Sequence, residues 1–329
     1  MSNSTAMTTI HVLALDGLLD SSLAIALDAL RTAEGFRARS GKGSKLQLEI
    51  VGHRKTIRTG AGLRLDTAFT FREALEKTTR PDWLLVPGIG VTSVAKLLAR
   101  FAQKDAQAAM ELLRRKGGAR RIGASCSSVF LLAEAGLLAN HDVTTTWWLA
   151  SAFRERYRDV RLDEARMLVR DGRFLTAGSA FAQLDLVLAV ITETMGAGIA
   201  ELCSRYMLID HRPSQARYMI QSHVRHSDPT VVAAERWIDA NLAEPVSVTD
   251  LASALAVSPR TLARRIAAAT GVSPVRLLQR RRVMQAANLI ETTTMSIEEV
   301  AARVGYQDGT ALRKLIKREF GITPAALRA

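Results

Sequence analysis

The chain has 329 residues, 48% of them apolar, and a formal net charge of +13. A packed core is within reach, so wholesale disorder is excluded, and the length suits about two domains. Cys126 and Cys203 are the only cysteines, too few for a disulfide framework or a multi-cysteine zinc site. No metal or cofactor is expected. The first ten residues lack a basic start to an apolar stretch, and no apolar run is long enough to span a bilayer, so neither a signal peptide nor a membrane partner is expected. The expected location is the cytoplasm. The surplus positive charge favours a polyanionic partner without separating nucleic acid from a membrane surface.

In chain order, strands are predicted at 10–15, 46–51, 83–86 and 121–125, and helices at 18–33, 94–115 and 127–135. The strand at 83–86 stops at Pro87-Gly88, a turn signal. Strands alternating with helices at this spacing predict a βαβ architecture with a parallel sheet, continuing to about residue 209. The stretch 211–229 carries His211, His223 and His226, with Pro213 and Pro229 near its ends. It reads as a solvated linker rather than a metal site.

From Thr230 onward the pattern is helical and repeats. Ser247, Leu251, Ala252 and Leu255 recur 49 residues later as Ser296, Val300, Ala301 and Val304. Ile266, Gly271 and Pro274 recur 50 residues later as Ile316, Gly321 and Pro324. Each copy opens with a capping signature, Ser247 to Asp250 and Ser296 to Glu299. In the first copy Ser258 caps a second helix with Pro259 in its first turn. In the second copy Gly305 ends the first helix and Asp308 caps the next. Leu262 and Ile266 face the first core; Leu312, Leu315 and Ile316 face the second. Arg260, Ala263, Arg264 and Arg265 are left for the outer face of one unit. Gly309, Thr310, Arg313, Lys314 and Lys317 are left for the other. Between Leu251 and Ile290 lie seven arginines and no acid. Arginine reads guanine bidentately in a major groove and binds phosphate elsewhere. A solvated basic face on a helical bundle is the competing explanation for one such helix; two capped copies favour nucleic acid.

The stretch 230–329 resembles the AraC/XylS family DNA-binding domain. The resemblance rests on Leu251 to Arg265, Thr270-Gly-Val-Ser-Pro274, Ser296 to Tyr306 and Phe320-Gly-Ile-Thr-Pro324. It implies two recognition helices in successive major-groove turns, about 34 Å apart, joined by a rigid helix. It also implies base contacts from Arg260, Ala263 and Arg264 in one unit and from Thr310, Arg313 and Lys314 in the other. Ala263 can offer only an apolar contact.

In the first domain, Gly123-Ala-Ser-Cys126-Ser-Ser places Cys126 between a strand and a helix. Such an elbow is expected to expose the thiol at a helix N-terminus, lower its pKa and supply backbone donors. A small buried cysteine is the competing reading. Leu18-Leu-Asp20, Val86-Pro-Gly88, Thr144-Thr-Thr-Trp147 and Leu175-Thr-Ala-Gly-Ser-Ala180 resemble the PfpI-like, class I glutamine amidotransferase-like fold. That domain ahead of an AraC-type module resembles the GlxA family of regulators. Enzymatic relatives carry His where Thr146 stands here. Threonine cannot take the thiol proton at neutral pH, so catalysis by a cysteine–histidine pair is not expected. His141 is five residues away along the segment.

The resemblance implies a binding pocket walled by Asp20, Gly88, Cys126, Ser127 and Thr146, suited to a small polar, nitrogen-containing metabolite. The fold expected is a flavodoxin-like α/β domain of PfpI type over 1–210, a linker over 211–229 and an all-α DNA-binding domain over 230–329. The function expected is a sequence-specific, effector-responsive transcription regulator, homodimeric through its first domain. A cysteine-dependent hydrolase or hydratase is the alternative that Thr146 argues against. A non-specific architectural DNA binder would leave the first domain unexplained.

Overall fold

A computed structural model of the chain describes all residues except 1–6, 42, 116–118, 211, 213, 220–227 and 329. His211, Pro213, His223 and His226 of the expected linker therefore lie outside the described residues. The rest forms two compact units: Met1–Leu149 with Asp159–Arg212, and Ala150–Arg158 with Pro213–Ala329.

The first unit runs β1 (Met7–Ala14), α1 (Asp20–Ser40), β2 (Lys45–Gly52), β3 (Thr56–Arg58), β4 (Arg64–Asp66), β5 (Phe69–Thr70), α2 (Phe71–Glu76), β6 (Trp83–Val86), α3 (Val94–Arg100), α4 (Lys104–Arg114), β7 (Arg121–Ser125), α5 (Ser128–Glu134) and β8 (Asp142–Val143). After α6 (Ala150–Arg156) it resumes with β9 (Arg161–Leu162), β10 (Leu168–Asp171), β11 (Phe174–Ala177), α7 (Gln183–Met195) and α8 (Ala197–Tyr206). The main sheet has the order β10-β11-β7-β6-β1-β2-β5. Its pairings are parallel except for the hairpin β10–β11. All four residues of β6 are buried, as befits a parallel strand covered on both faces. Ile10, Val12 and Ala14 alternate along β1 into one core with α1 and α7, the period of two that a strand imposes.

Chain order reverses between β1 and β6, so the loops leaving β1, β6 and β7 open a crevice at the carboxyl ends of the strands. That switch point is where open α/β sheets bind ligands. The helix predicted over 94–115 is two helices. Arg100 closes the first by turning back onto Asp105 and the Asp16 carbonyl, the latter at 2.8 Å, while Phe101 enters the core.

In the second unit, α9 (Pro229–Ala240) precedes α10 (Val248–Ala254), α11 (Pro259–Thr270), α12 (Pro274–Thr292), α13 (Ile297–Arg303), α14 (Gly309–Phe320) and α15 (Pro324–Arg328). The two capping boxes form as expected, Ser247 with Asp250 and Ser296 with Glu299. Ser258 caps α11, and Asp308 Oδ1 caps α14 by accepting from Thr310 and Ala311. The first helix-turn-helix buries Leu251, Ala252, Leu262 and Ile266 with Val231 and Ile238 of α9. The second buries Val300, Ala301, Leu312 and Ile316. Helix α12 contacts both α11 and the group α13 to α15.

The turn inside each helix-turn-helix needs one left-handed residue. In the second it is Gly305 (φ 78°), in the first Ala256 (φ 53°). A Cβ on Gly305 would lie 2.4 Å from the Leu242 carbonyl oxygen, whereas Ala256 tolerates its own. Gly305→Ala is therefore expected to destabilise the protein by about 2 kcal/mol, and Ala256→Gly to stabilise it by up to about 1 kcal/mol. Denaturant unfolding of the two variants checks the opposite signs.

Candidate nucleic-acid interface and elbow site

Helix α11 presents Arg260 and Arg264 to solvent, with Ala263 half-buried between them. Spacings of three and four residues put all three on one face. On α14, Thr310, Arg313, Lys314 and Lys317 are exposed on the corresponding face while Leu312 and Ile316 are buried. A cleft of about 620 Å³ runs beside α14, lined by Arg313, Lys314, Lys317 and Arg328 above an apolar floor that includes Ile290 and Ile297.

Arg265 does not join the first face. Its guanidinium donates to the Thr230 hydroxyl and lies 3.6 Å from Asp228 Oδ1, so it braces the start of α9. The arginines of α12, counted in the sequence as charge for nucleic acid, also turn inward. Arg281, only 8% exposed, donates from Nε to Asp239 Oδ1 at 2.7 Å and lies 3.7 Å from Glu235. Arg276 pairs with Glu319 of α14, and Arg280 reaches the same carboxylate at 3.7 Å. Arg282 donates to the carbonyls of Glu244 (2.6 Å) and Gly305 (3.3 Å). A charge count along the sequence cannot see these partners because they lie tens of residues away. Buried guanidinium groups persist only when paired. Thus α12 is ion-paired to α9 on one side and to α14 on the other.

At the crevice of the first unit, Gly88 follows β6. A Cβ on it would lie 3.3 Å from Cys126 Cβ and 3.1 Å from Leu19 Cδ1. Cys126 follows β7 with φ 56°, a strained elbow for a residue with a side chain. Its N–H donates to the Ala177 carbonyl at 2.9 Å, and Thr145 Oγ1 donates to its carbonyl at 2.7 Å. The Ser127 hydroxyl donates to the Ile89 carbonyl (2.8 Å) and accepts from the Ile89 N–H (2.9 Å). Thr146 is buried and its hydroxyl faces the thiol.

The expectation of an exposed, acidic thiol is not met. Cys126 is 7% exposed, and burial pushes its pKa up. The Ser127, Thr146 and Ala180 groups around it favour the thiolate but are outweighed. His141 does not stand in as a base; its Nδ1 lies 3.1 Å from Asp171 and its ring packs on Phe174.

Gly88, Cys126 and Thr146 therefore come together, with Ser127 beside them. Asp20 sits at the start of α1 and engages the loop after β3. Its Oδ2 accepts from the Ala61 N–H at 2.9 Å, and Thr59 and Ala61 hold the carboxyl below its usual pKa. Its Oδ1 is buried without a hydrogen-bond partner.

The sequence did not mark Asp16, His53 and Asp105, which converge with ligand atoms within 4.8 Å of one another. Guanidinium groups already serve the carboxylates: Arg54 bonds Asp16 at 2.8 Å and Arg100 bonds Asp105. The cluster is an ion-pair network bracing the loop that leads to Asp20.

A helix-turn-helix domain profile matches residues 251–329. The HTH-type transcriptional regulator GbdR of Pseudomonas aeruginosa is 27% identical over 321 residues, 96% of this chain and 83% of that protein. The HTH-type transcriptional regulator GlxA of Rhizobium meliloti is 29% identical over 211 residues, 63% of this chain and 65% of that protein. A THiJ/PfpI family protein from Pseudomonas syringae superposes with a TM-score of 0.52 at 21% identity, covering 77% of this chain and 93% of that one; this likeness concerns the fold alone. Fold and interface together define a DNA-binding transcription regulator. The chain resembles regulators of AraC type, with an α/β domain of PfpI-like fold ahead of its helix-turn-helix module. Among the described residues, no helix is long and apolar enough to cross a membrane.

Folded Cys126 keeps its proton where an unfolded thiol, with a pKa of about 8.5, loses it. The stability this lends is present below about pH 8.5 and is lost as pH rises toward the folded value. Iodoacetamide at pH 8 is expected to alkylate native Cys126 far more slowly than a free thiol, and Cys126→Ala to flatten part of the alkaline fall in stability. Fast alkylation of the native protein would contradict the buried elbow.

Proposed function

We propose that the chain reads a specific DNA sequence through Arg260, Ala263 and Arg264 of α11 and through Thr310, Arg313, Lys314 and Lys317 of α14, under the control of a small polar metabolite bound by the first unit. The observation that carries this reading is the pair of exposed cationic faces on helices built alike, α14 ion-paired to the connecting helix α12 and α11 sharing a core with it. A single such face would serve non-specific phosphate binding; two held together read two grooves.

The effector site is the crevice of Asp20, Gly88, Cys126, Ser127 and Thr146. Asp20 is held ionised at neutral pH, and its buried Oδ1 has no hydrogen-bond partner. That combination suits a ligand N–H or ammonium group, since a buried acceptor without a donor costs about 1–3 kcal/mol. Gly88 leaves room for a ligand to approach the elbow. Thr146 supplies no general base, which favours binding over turnover and weighs against a cysteine hydrolase or hydratase. The protein acts as a homodimer through its first unit; Leu202 and Tyr206 of α8, 46% and 71% exposed, offer an apolar face for it. Effector binding then biases the arrangement of the two DNA modules by as much as its affinity differs between arrangements.

Gel shifts against a genomic fragment library test the DNA reading. The full chain is expected to retain a specific fragment over competitor DNA. Arg260→Ala with Arg264→Ala should cost ten- to a hundredfold in affinity and lower the salt slope by up to about 2. Equal retention of all fragments would overturn the proposal. For the effector, calorimetric titration of amines and amino-acid derivatives should give a binding heat that Asp20→Asn abolishes; a heat indifferent to that change would move the site elsewhere.

A further inference from the structure

Glu298 lies on α13, outside the recognition helices and outside every functional group assigned above. Its Oε1 accepts from Arg313 Nη2 at 2.8 Å. Gly309, the first residue of α14, sits against this pair. A Cβ there would lie 2.8 Å from Glu298 Oε1, 3.2 Å from Arg313 Nη1 and 3.2 Å from Ile297 Cγ2. Gly309 is not among the residues with positive φ, so its backbone does not require glycine. The missing side chain instead leaves room for the carboxylate and the guanidinium to meet over the start of α14.

The internal repeat gives an independent observation. At the spacings of 49 and 50 residues that relate the two units, Glu298, Gly309 and Arg313 correspond to Thr249, Pro259 and Ala263. The first helix-turn-helix copy has none of the three parts and the second copy has them all. Acid, gap and arginine differ together, as parts of one device would.

The pair is exposed, 49% at Arg313 and 62% at Glu298, so it adds little stability. What it supplies is orientation. A guanidinium carries five N–H donors in a rigid plane, and one bond to Glu298 leaves another edge open. An open edge fits the N7 and O6 acceptors of guanine in the major groove. An acid on a DNA-facing surface also repels phosphate, which weakens binding to every sequence alike. A side chain that costs general affinity while fixing a base-reading group trades affinity for discrimination.

We propose that Glu298 is a specificity-determining positioning residue: it holds Arg313 in the fork that reads one guanine of the site entered by α14, and Gly309 keeps the space in which it does so. This rests on the reading that α14 enters a major groove.

The experiment uses the full chain and its selected DNA fragment, with each base pair of the α14 half-site substituted in turn. Glu298→Gln is expected to move two quantities in opposite directions. Affinity for competitor DNA should rise about two- to fivefold through loss of one negative charge. Preference for G·C at one position should fall about tenfold. Gly309→Ala should reproduce the second effect without the first. Unchanged discrimination in Glu298→Gln overturns the inference. Arg313→Ala separates this from its parent: if it removes the G·C preference while Glu298→Gln does not, only the role of Glu298 fails. If Arg313→Ala leaves every preference intact, the placement of α14 fails with it.

Discussion

Helix α12 is held on two sides by charge, against α9 and against α14. Arg281 is sunk against Asp239 and Glu235 of α9, and Arg276 and Arg280 converge on Glu319, itself buried at the end of α14. Removing one partner of such a pair strands the other in a low-dielectric setting, at a cost of about 3–5 kcal/mol when fully buried. Leucine or methionine could hold the helices together as well. Paired guanidinium and carboxylate groups add register, because a slip of one turn leaves both unpaired. The faces of α11 and α14 therefore keep one separation and one relative rotation. Duplex DNA repeats every turn, so a fixed separation is itself a sequence filter.

The same economy appears in how the positive charge is used. The chain carries a large cationic surplus, yet Arg265, Arg276, Arg280, Arg281 and Arg282 are spent inside the second unit. The faces of α11 and α14 keep Arg260 and Arg264 exposed on one helix and Arg313, Lys314 and Lys317 on the other. In the first unit the elbow has the backbone geometry of a nucleophile turn around a buried thiol. Cys126 has the positive φ, but its thiol is buried, the facing side chain is Thr146, and His141 is occupied by Asp171.

Features written in local sequence were readable. The serine and acid of each capping box, Ser258 with Pro259, and Asp308 lie within three residues of what they bond, so repeat and cap signals placed α10, α11, α13 and α14 correctly. The alternation of strands and helices likewise marked the parallel sheet. Features set by distant partners were not readable. Arg281 finds Asp239 across 42 residues and Arg276 finds Glu319 across 43, so an arginine tally overstated the basic face. The break between α3 and α4 depends on Asp16 and Asp105 together capturing Arg100. The burial of Cys126 depends on Gly88, Thr146 and Ala180 closing over it, none adjacent in sequence. Glu298 was hidden in plain view, since an acid in the first turn of a helix reads as a dipole partner.

Helices α11 and α14, proposed here to read DNA, are held by α12 as one rigid ruler. Insertions between the two half-sites of the selected DNA fragment test it most directly. Adding five base pairs turns the second half-site to the opposite face; adding ten restores the face but lengthens the span by about 34 Å. A rigid ruler predicts that both insertions reduce binding to that of one half-site. Full affinity retained with the ten-base-pair insertion would show two independently tethered units and contradict the account.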